Sequence, residues 1–304
     1  MGTTMNMPIR WFFTILLIMF IWGSLFPVAK GISTELHPLV LAFLRYLFAV
    51  IPMLPFFLYE SRRKRNPTCR DTIGIAAVGF LGITCFAVFL FVGLRLTSAT
   101  ASAILSNTQP IFVTLLSPLF TSERFTLRQL AGTAVGFVGM VIVVTGGSFA
   151  ALDFGDAAFL GNLLNVGAAI SISFYFILIK RYSSRYGSTI PTFISMLSGG
   201  IIILFLALAS GADFKGVAAL SGDDWISVLY IGVVATALVY IIYNRAIAVV
   251  GVIPTVSMKF MIPVFGVLLS MLLLGERPGF GTVLGMIIVA AAILLIYYPR
   301  RAEV

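Results

Sequence analysis

Apolar residues follow one another along almost the whole chain, in runs long enough to cross a lipid bilayer. The hydrocarbon core of a membrane needs about 20 apolar helical residues, and ten runs of roughly this length are separated by short gaps. Their ranges are 9–29, 38–59, 72–93, 98–120, 127–146, 157–179, 190–210, 225–247, 252–274 and 279–298. Barrel strands would show a weak alternation in place of unbroken runs. The pattern therefore predicts an all-α integral membrane protein with ten transmembrane helices.

The composition supports this class and disfavours enzyme chemistry. Of the 304 residues, 60% are hydrophobic and 10% charged, whereas soluble domains run nearer half apolar and a quarter charged. The two cysteines, Cys69 and Cys85, lie in a basic loop and inside the third run, which fits neither a disulfide framework nor a metal site. The chain has one histidine, no HExxH and no Walker A loop. We expect no enzyme activity, no catalytic residue, no metal and no cofactor.

The net charge of +9 is spread unevenly over the two sides of the predicted bundle. With the N-terminus in the cytoplasm, 14 of the 20 Lys and Arg residues fall on the cytoplasmic side and four fall outside. The 14 are Arg10, Arg62, Arg63, Lys64, Arg65, Arg70, Arg124, Arg128, Lys180, Arg181, Arg185, Arg245, Arg300 and Arg301. This positive-inside bias predicts that both termini are cytoplasmic. The run "SRRKR" then faces anionic lipid, and no nucleic-acid partner is expected.

Two stretches of the chain match each other without a gap. "QPIFVTLLSPLFTSERFTLRQLAG" at 109–132 matches "IPVFGVLLSMLLLGERPGFGTVLG" at 262–285, with every pair 153 residues apart. The repeat unit spans five helices, an odd number, so the second copy is inverted relative to the first. The sequence thus predicts two inverted five-helix repeats, 9–146 and 157–298. Inverted repeats are an architecture of transporters, in which one half rocks against the other around a central site.

Several motifs in this order resemble the drug/metabolite transporter superfamily, specifically its members with two EamA-type repeats. They are "IWGSLFPVAK" (21–30), "FLRYLFA" (43–49), "LRLTSATASAILSNTQPIF" (94–112), "LFTSERFTLRQLAG" (119–132), "AIAVVGVIP" (246–254) and "LLLGERPGFGTVLG" (272–285). The resemblance implies ten helices, termini inside, and carriage of small metabolites, often outward. It does not imply a particular substrate. We expect a bacterial cell inner membrane, a small-molecule substrate, and either a monomer or a homodimer.

Charges within the predicted helices are of one sign. All 11 acidic residues fall in loops or at helix ends, whereas Arg45 and Lys259 lie about seven residues inside the second and ninth helices. Carriers of cations or protons commonly place a carboxylate in the membrane, so a cation held by a formal counter-charge is not expected. An aromatic cage for a cation stays open. At the repeat offset, the counterparts of Arg45 and Lys259 are Ser198 and Ser106.

Both cations have two interpretations. Lys259 shares one helix stripe with Thr255, Pro263 and Gly266, which favours a cavity wall, but its long side chain also allows snorkelling to the interface. Arg45 is either a substrate ligand or a structural residue that pairs with backbone carbonyls. Both remain candidates for substrate binding.

Polar and aromatic residues inside apolar runs supply the other candidates for substrate binding. They are Trp22, Asn107, Gln109, Asn165, Tyr175 and Tyr243. Core packing or interhelical hydrogen bonds explain each of them equally well. Proline breaks a helix, so Pro27, Pro110 and Pro263 are candidate hinges between the halves.

These residues predict a secondary transporter that works by alternating access. The expected substrate is a small neutral, zwitterionic or anionic metabolite, with export of an amino acid preferred on resemblance. The alternatives are a broad-specificity drug exporter, a polytopic membrane enzyme and a non-transporting partner subunit. The coupling ion is open, and exchange or facilitated diffusion stands beside proton coupling.

Overall fold

The chain folds as a bundle of helices in a computed structural model, which describes residues 8–25, 28, 36–148, 156–275 and 277–297. Within those residues there is no strand. The helices are α1 (Ile9–Gly23), α2 (Pro38–Arg63), α3 (Cys69–Leu96), α4 (Ala99–Ser106 and Gln109–Phe120), α5 (Leu127–Thr145), α6 (Asp156–Tyr186), α7 (Thr189–Ala209), α8 (Gly222–Val250), α9 (Val252–Ser257, Met258–Phe260 and Met261–Leu274) and α10 (Phe280–Tyr297). A single helical turn, Lys215–Ala218, precedes α8.

Helices of membrane-spanning length make up nearly all of the described chain. Nine of them are long and apolar enough to cross a bilayer, and α1 is a shorter apolar helix of 15 residues. Large apolar side chains cover the outside of the bundle: Leu119, Leu127 and Phe280 are 74%, 80% and 85% exposed. Such a surface is unfavourable in water and suits lipid. The all-α membrane fold predicted from the apolar runs is confirmed.

Contacts between helix termini divide the bundle into two ends. At the first, the start of α3 meets the end of α6, where Asp71 accepts hydrogen bonds from Arg185 (3.2 Å) and Tyr186. We call this the basic end, because "SRRKR" at 61–65 lies beside it. At the opposite end, the end of α3 meets the start of α6 through Thr97 Oγ1, which donates to Asn162 Oδ1 at 2.7 Å. Successive helices therefore run up and down.

Helices α1–α5 and α6–α10 form two halves that pack mainly against each other. Helix α2 packs on α7, α4 on α9, and α5 on α10, so each of these helices meets its own repeat counterpart. Other contacts are also exchanged by the repeat offset: α1 packs on α9 as α6 packs on α4, and α2 packs on α8 as α7 packs on α3. A two-fold axis across the helices produces this reciprocal pattern, as an inverted repeat requires.

Glycines let the paired helices approach closely. A Cβ on Gly139 of α5 would lie 2.9 Å from the backbone nitrogen of Val289 in α10. A Cβ on Gly23 of α1 would lie 2.8 Å from Cβ of Phe265 in α9. Real Cβ atoms do not come so near, so a larger residue would push the helices apart. Small residues at the interfaces are typical of helices that pack within a membrane.

Two of the long helices carry widened segments at equivalent positions. Helix α3 is π-helical over Phe80–Cys85 and α8 over Tyr230–Leu238. The repeat offset of 153 maps the first segment onto 233–238, inside the second. A π segment leaves carbonyl groups out of the regular α-helical pattern and is often found at functional sites. In α8 it presents the carbonyl of Ala235 to Trp22, whose Nε1 donates to it at 3.0 Å.

At the basic end, Glu123 of the first half contacts two helices of the second half. Glu123, which follows α4, pairs with Lys180 near the end of α6. It also accepts the backbone N–H groups of Val252 (2.8 Å) and Ile253 (3.3 Å), the first residues of α9. An anion at a helix N-terminus satisfies free N–H groups and interacts favourably with the helix dipole. This contact fixes the start of the helix that carries Lys259.

Candidate functional site

Helices α4 and α9 meet near the middle of the bundle, and both are interrupted there. Helix α4 stops at Ser106 and resumes at Gln109, and α9 narrows to a 3₁₀ turn over Met258–Phe260. A proline follows each interruption, Pro110 in α4 and Pro263 in α9. Proline lacks an N–H, so it leaves the carbonyl four residues earlier without its helical donor. The two carbonyls are those of Ser106 and Lys259, which are repeat counterparts.

The ammonium group of Lys259 points into the bundle. Its Nζ donates to Oε1 of Gln109 at 2.6 Å and lies 4.7 Å and 4.6 Å from the ring centroids of Trp22 and Phe176. The residue is 8% exposed. Lys259 lies seven residues into α9, which puts it about 10 Å from the start of that helix. This inward position differs from the snorkelling that the sequence left open.

No carboxylate pairs with Lys259 in the part of the chain that the structure describes. The ion pairs found there include Glu60–Lys64, Glu123–Lys180 and Asp71–Arg185, and none of those involves Lys259. A buried charge without an opposite charge is costly, and it is partly stabilised here by one amide oxygen and two aromatic faces. The site is therefore suited to an anionic group.

Gln109 makes two contacts with one amide. Its Oε1 accepts from Lys259, and its Nε2 donates at 2.8 Å to the carbonyl of Ser106, the carbonyl that Pro110 leaves free. Gln109 is itself buried and begins the second part of α4. One side chain therefore joins the interruption in the first half to the cation in the second half.

Five aromatic rings form a wall next to the lysine. Trp22 contacts Tyr240 and Tyr243 at centroid distances of 5.6 and 4.9 Å, and Phe176 contacts Tyr243 at 5.2 Å. Tyr175 contacts Phe176 and Tyr240 at 5.4 and 6.2 Å. Edge-on contacts such as these stabilise the cluster beyond the area that it buries. The wall can pack against the apolar part of a small molecule.

A buried amide ties three helices of the second half together behind the wall. Asn244 Nδ2 donates to Tyr175 OH at 2.9 Å and to Thr192 Oγ1 at 2.8 Å. Thr192 gives its own proton to Ser188 O at 2.6 Å, so the amide group that faces Thr192 is the NH₂. The Asn244 Oδ1 atom is buried and has no hydrogen-bond partner.

Three of the predicted site residues use their polar atoms elsewhere. Asn107 Nδ2 donates to Ala103 O of its own helix at 2.7 Å. Asn165 joins α6 to α4, since its Oδ1 accepts from Ser102 Oγ at 2.6 Å. Arg45 Nε donates at 2.8 Å to Thr236 Oγ1 in the π segment of α8. The structure gathers Lys259, Gln109, Trp22, Tyr175 and Tyr243 around one centre. Asn107, Asn165 and Arg45 make hydrogen bonds with other groups.

The sequence missed two rings of the wall, Phe176 and Tyr240. The chain has 27 Phe and 10 Tyr residues, so neither stood out by residue type. Phe176 follows Tyr175, and its repeat counterpart is Gly23, which breaks the symmetry of the two halves. That difference was a usable signal.

Two of the three candidate hinge prolines lie in the described part of the chain. Pro110 and Pro263 each follow a helix interruption, and their action as hinges stays a prediction. Pro27 lies outside the described residues. Among the described residues, no three His, Cys, Asp or Glu side chains are grouped so that they could hold a metal ion.

Apolar spanning helices in two reciprocally packed halves, with a polar centre between them, define a polytopic membrane protein of the transporter type. The chain belongs to the EamA-like transporter family, whose model matches residues 9–145 and again 159–298. The resemblance to the two-repeat members of the drug/metabolite transporter superfamily is thereby confirmed.

Relatives of the chain are named as transporters. A protein of Archaeoglobus fulgidus described as an uncharacterized transporter is 26% identical over 279 residues, 92% of this chain and 94% of its own. An S-adenosylmethionine uptake transporter of Rickettsia bellii is 25% identical over 90% of this chain and 88% of its own. A probable terminal-alkyne amino-acid exporter of Streptantibioticus cattleyicolor is 26% identical over 76% of this chain and 75% of its own.

A solved structure shares the fold. One crystal structure superposes with a TM-score of 0.84 and covers 98% of this chain and 100% of its own, at 16% sequence identity. At this identity the likeness concerns the fold alone.

Proposed function

We propose that this protein is a secondary transporter that moves a small metabolite bearing a carboxylate or other acidic group, by alternating access. An amino acid carried outward is the preferred substrate. The observation that carries the proposal is the Lys259 ammonium, buried between the two halves with no carboxylate partner among the described residues. A substrate carboxylate supplies the missing negative charge.

Electrostatics also favour tight binding of a carboxylate at Lys259. A charge-assisted hydrogen bond is about twice as strong as a neutral one, and the low dielectric of the bundle strengthens it further. The aromatic wall of Trp22, Phe176 and Tyr243 keeps water from the pair and contacts the apolar part of the substrate. A neutral or zwitterionic amino acid satisfies both requirements.

The names of two relatives support this substrate class and differ in direction. One is named as an exporter of a terminal-alkyne amino acid, and another as an uptake transporter of S-adenosylmethionine, a methionine derivative. Amino-acid groups are common to both names. We place this chain in a bacterial inner membrane with the basic end in the cytoplasm, on the positive-inside bias. The two repeats, 9–146 and 157–298, are the units that rock around Lys259.

A second candidate function is a broad-specificity drug exporter. The five-ring wall favours it, because aromatic surfaces bind many flat apolar compounds with little selectivity. The two functions differ in what Lys259 contributes. A drug exporter tolerates loss of the lysine, whereas a carboxylate carrier does not.

The test compares L-leucine with 4-methylpentanoate, which lacks its amino group, and 3-methylbutylamine, which lacks its carboxylate. Purified wild-type protein and Lys259→Met are titrated in a thermal-shift assay and assayed for flux in proteoliposomes. We expect Lys259→Met to bind both carboxylates at least about ten-fold more weakly, since a hydrogen bond to a charged group is worth about 1.5–3 kcal/mol. Binding of the amine changes little.

The matched control is Lys64→Met, which removes a cation whose side chain is 46% exposed at the basic end. It leaves all three affinities unchanged. Leucine affinity that is equal in wild type and Lys259→Met contradicts the proposed role. Binding of many unrelated aromatic compounds by both proteins supports the drug exporter instead.

A further inference from the structure

The hydrogen bond between Lys259 and Gln109 crosses the interface between the two halves at the point where each central helix is interrupted. It joins α9 to α4 over 150 residues of chain at 2.6 Å. Among the described residues, Gln109 is the one hydrogen-bond partner of the Lys259 ammonium group. A group that replaces Gln109 Oε1 therefore changes a contact between the two halves of the bundle.

We propose that Gln109 is the substitute ligand of Lys259 when the site is empty, and that it thereby lets the empty carrier change sides. The protein then works as a uniporter, and exchange is not obligatory. This inference rests on the proposed function, since it requires that substrate binds Lys259. It assigns Gln109 a positioning role in the empty carrier, beyond contact with substrate.

A bare cation at the empty site is costly. An alternating-access carrier without substrate must pass through a closed state, and in this chain that state holds a buried ammonium group. Burying a charge without a partner is unfavourable by several kcal/mol. A carrier with such a site would change sides only with substrate bound, so it would catalyse exchange and no net transport. The Gln109 oxygen removes much of this barrier because it accepts a hydrogen bond from the ammonium group.

A substrate carboxylate displaces Gln109 from Lys259. Its oxygen is neutral, whereas a carboxylate adds the attraction between opposite charges, which is strong in a medium of low dielectric. When the carboxylate displaces Oε1, the amide stays in place, because Nε2 remains bonded to Ser106 O at 2.8 Å. The carbonyl that Pro110 frees thus anchors the side chain in both states. Because the side chain stays anchored, Lys259 switches between Gln109 and substrate by a local and reversible change.

The contact between Lys259 and Gln109 is specific to this pair of residues. At the repeat offset Lys259 corresponds to Ser106 and Gln109 to Ile262, so the equivalent positions cannot form a second copy. Internal symmetry of the fold therefore does not require the bond. A pair that symmetry does not require, at the centre of the interface, fits a role in the transport cycle.

The experiment measures two fluxes of radiolabelled L-leucine in proteoliposomes. Net flux is efflux into leucine-free buffer, in which the carrier must return empty. Exchange is efflux against saturating unlabelled leucine, in which the carrier returns loaded. The variants are Gln109→Met, which keeps the side-chain length and removes the acceptor, and Gln109→Glu, which keeps an acceptor and removes the donor to Ser106.

We expect Gln109→Met to lower net flux at least about ten-fold more than it lowers exchange, from the strength of a hydrogen bond to a charged group. Gln109→Glu keeps the ratio of net flux to exchange, and its leucine affinity falls at least about ten-fold because the new carboxylate competes for Lys259. Asn162→Leu, which removes an interhelical amide near the opposite end, leaves the ratio unchanged.

A ratio of net flux to exchange that is the same in Gln109→Met and in wild type overturns the inference. A selective loss of net flux in both Gln109→Met and Gln109→Glu also overturns it, because the bond to Ser106 then explains the effect. If leucine binding does not depend on Lys259, or wild type moves no leucine, the proposed function fails and this inference fails with it. Lys259-dependent binding with an unchanged ratio defeats this inference alone.

Discussion

Lys259 takes its hydrogen-bond acceptor from the other half of the chain. The sequence singled out Lys259, Gln109 and Trp22, because each is polar or amphipathic inside an apolar run, where such residues are costly. It did not pair them. The contact depends on how α4 and α9 face each other, and neither helix alone determines that. Phe176, which lies 4.6 Å from the ammonium group, had no polar atom to draw attention to it.

The buried amide of Asn244 is predicted to stabilise the packing of α8 on α6 and α7. Asn244→Ala removes two hydrogen bonds to hydroxyl groups on α6 and α7 and leaves a small cavity. We expect the free energy of unfolding to fall by about 1–3 kcal/mol, since interhelical hydrogen bonds in membranes average about 0.6 kcal/mol and the cavity adds to them. Thermal unfolding in detergent measures the loss.

The control for this prediction is Asn107→Ala. Its amide donates to Ala103 O within its own helix and is not fully buried, so we expect less than half the shift in melting temperature. Equal shifts in the two variants would show that Asn244 does not hold the helices together.

At the scale of the helix, the interruptions of α4 and α9 follow from local chemistry. Pro110 and Pro263 prevent regular helical bonding to the residues four positions earlier, so a reader of the sequence can place both interruptions. The π segments of α3 and α8 are different. Their sequences, "FLGITC" and "YIGVVATAL", contain no proline, and the Ala235 carbonyl is satisfied by Trp22 from another helix. Tertiary contacts stabilise them.

Gly82 tests the packing of the first π segment. A Cβ at this position would overlap the side chain of Tyr175, which is fully buried. We expect Gly82→Ala to lower the free energy of unfolding by about 1–3 kcal/mol, the usual cost of overpacking. The change should also disturb the aromatic wall, visible in the near-ultraviolet circular dichroism of its rings.

Gly222→Ala is the matched control. Gly222 begins α8, and a Cβ there meets nothing within 4 Å. The melting temperature should stay the same or rise slightly. A Gly82→Ala variant as stable as Gly222→Ala would mean that Tyr175 can move away at little cost.

At the scale of the whole molecule, the two halves form one unit and not two separate domains. Helices of the first half pack chiefly on helices of the second, in pairs that the repeat offset exchanges. The sequence predicted the inversion from the odd number of helices per repeat. The family model, which matches 9–145 and 159–298, agrees with a duplicated chain. Motion of one half against the other must therefore change contacts along their whole interface.

The orientation of the molecule can be tested with a native cysteine. Cys69 is exposed at the basic end, where it begins α3, and we predict that this end is cytoplasmic. In a Cys85→Ser background, a membrane-impermeant maleimide should therefore label Cys69 only after the cells are permeabilised. Mass shift of the purified protein measures the labelling.

A second variant reports on the other side of the membrane. In a chain without native cysteines, Asp213→Cys places an exposed thiol in the loop between α7 and α8, near the opposite end. It should be labelled in intact cells. The reverse result for both positions would show the opposite orientation and would contradict the prediction from the positive-inside bias.

The sequence by itself determined the helices, their inversion and the sign of the buried charge. These follow from apolar run length, from a repeat of fixed offset and from the lack of acidic residues within the runs, all of which are local or countable. Only the tertiary structure decided that Lys259 points inward, that Gln109 accepts from it, and that Phe176 and Tyr240 complete the wall. Those contacts join residues between 83 and 218 positions apart, and their geometry depends on how closely the glycine-lined helices pack.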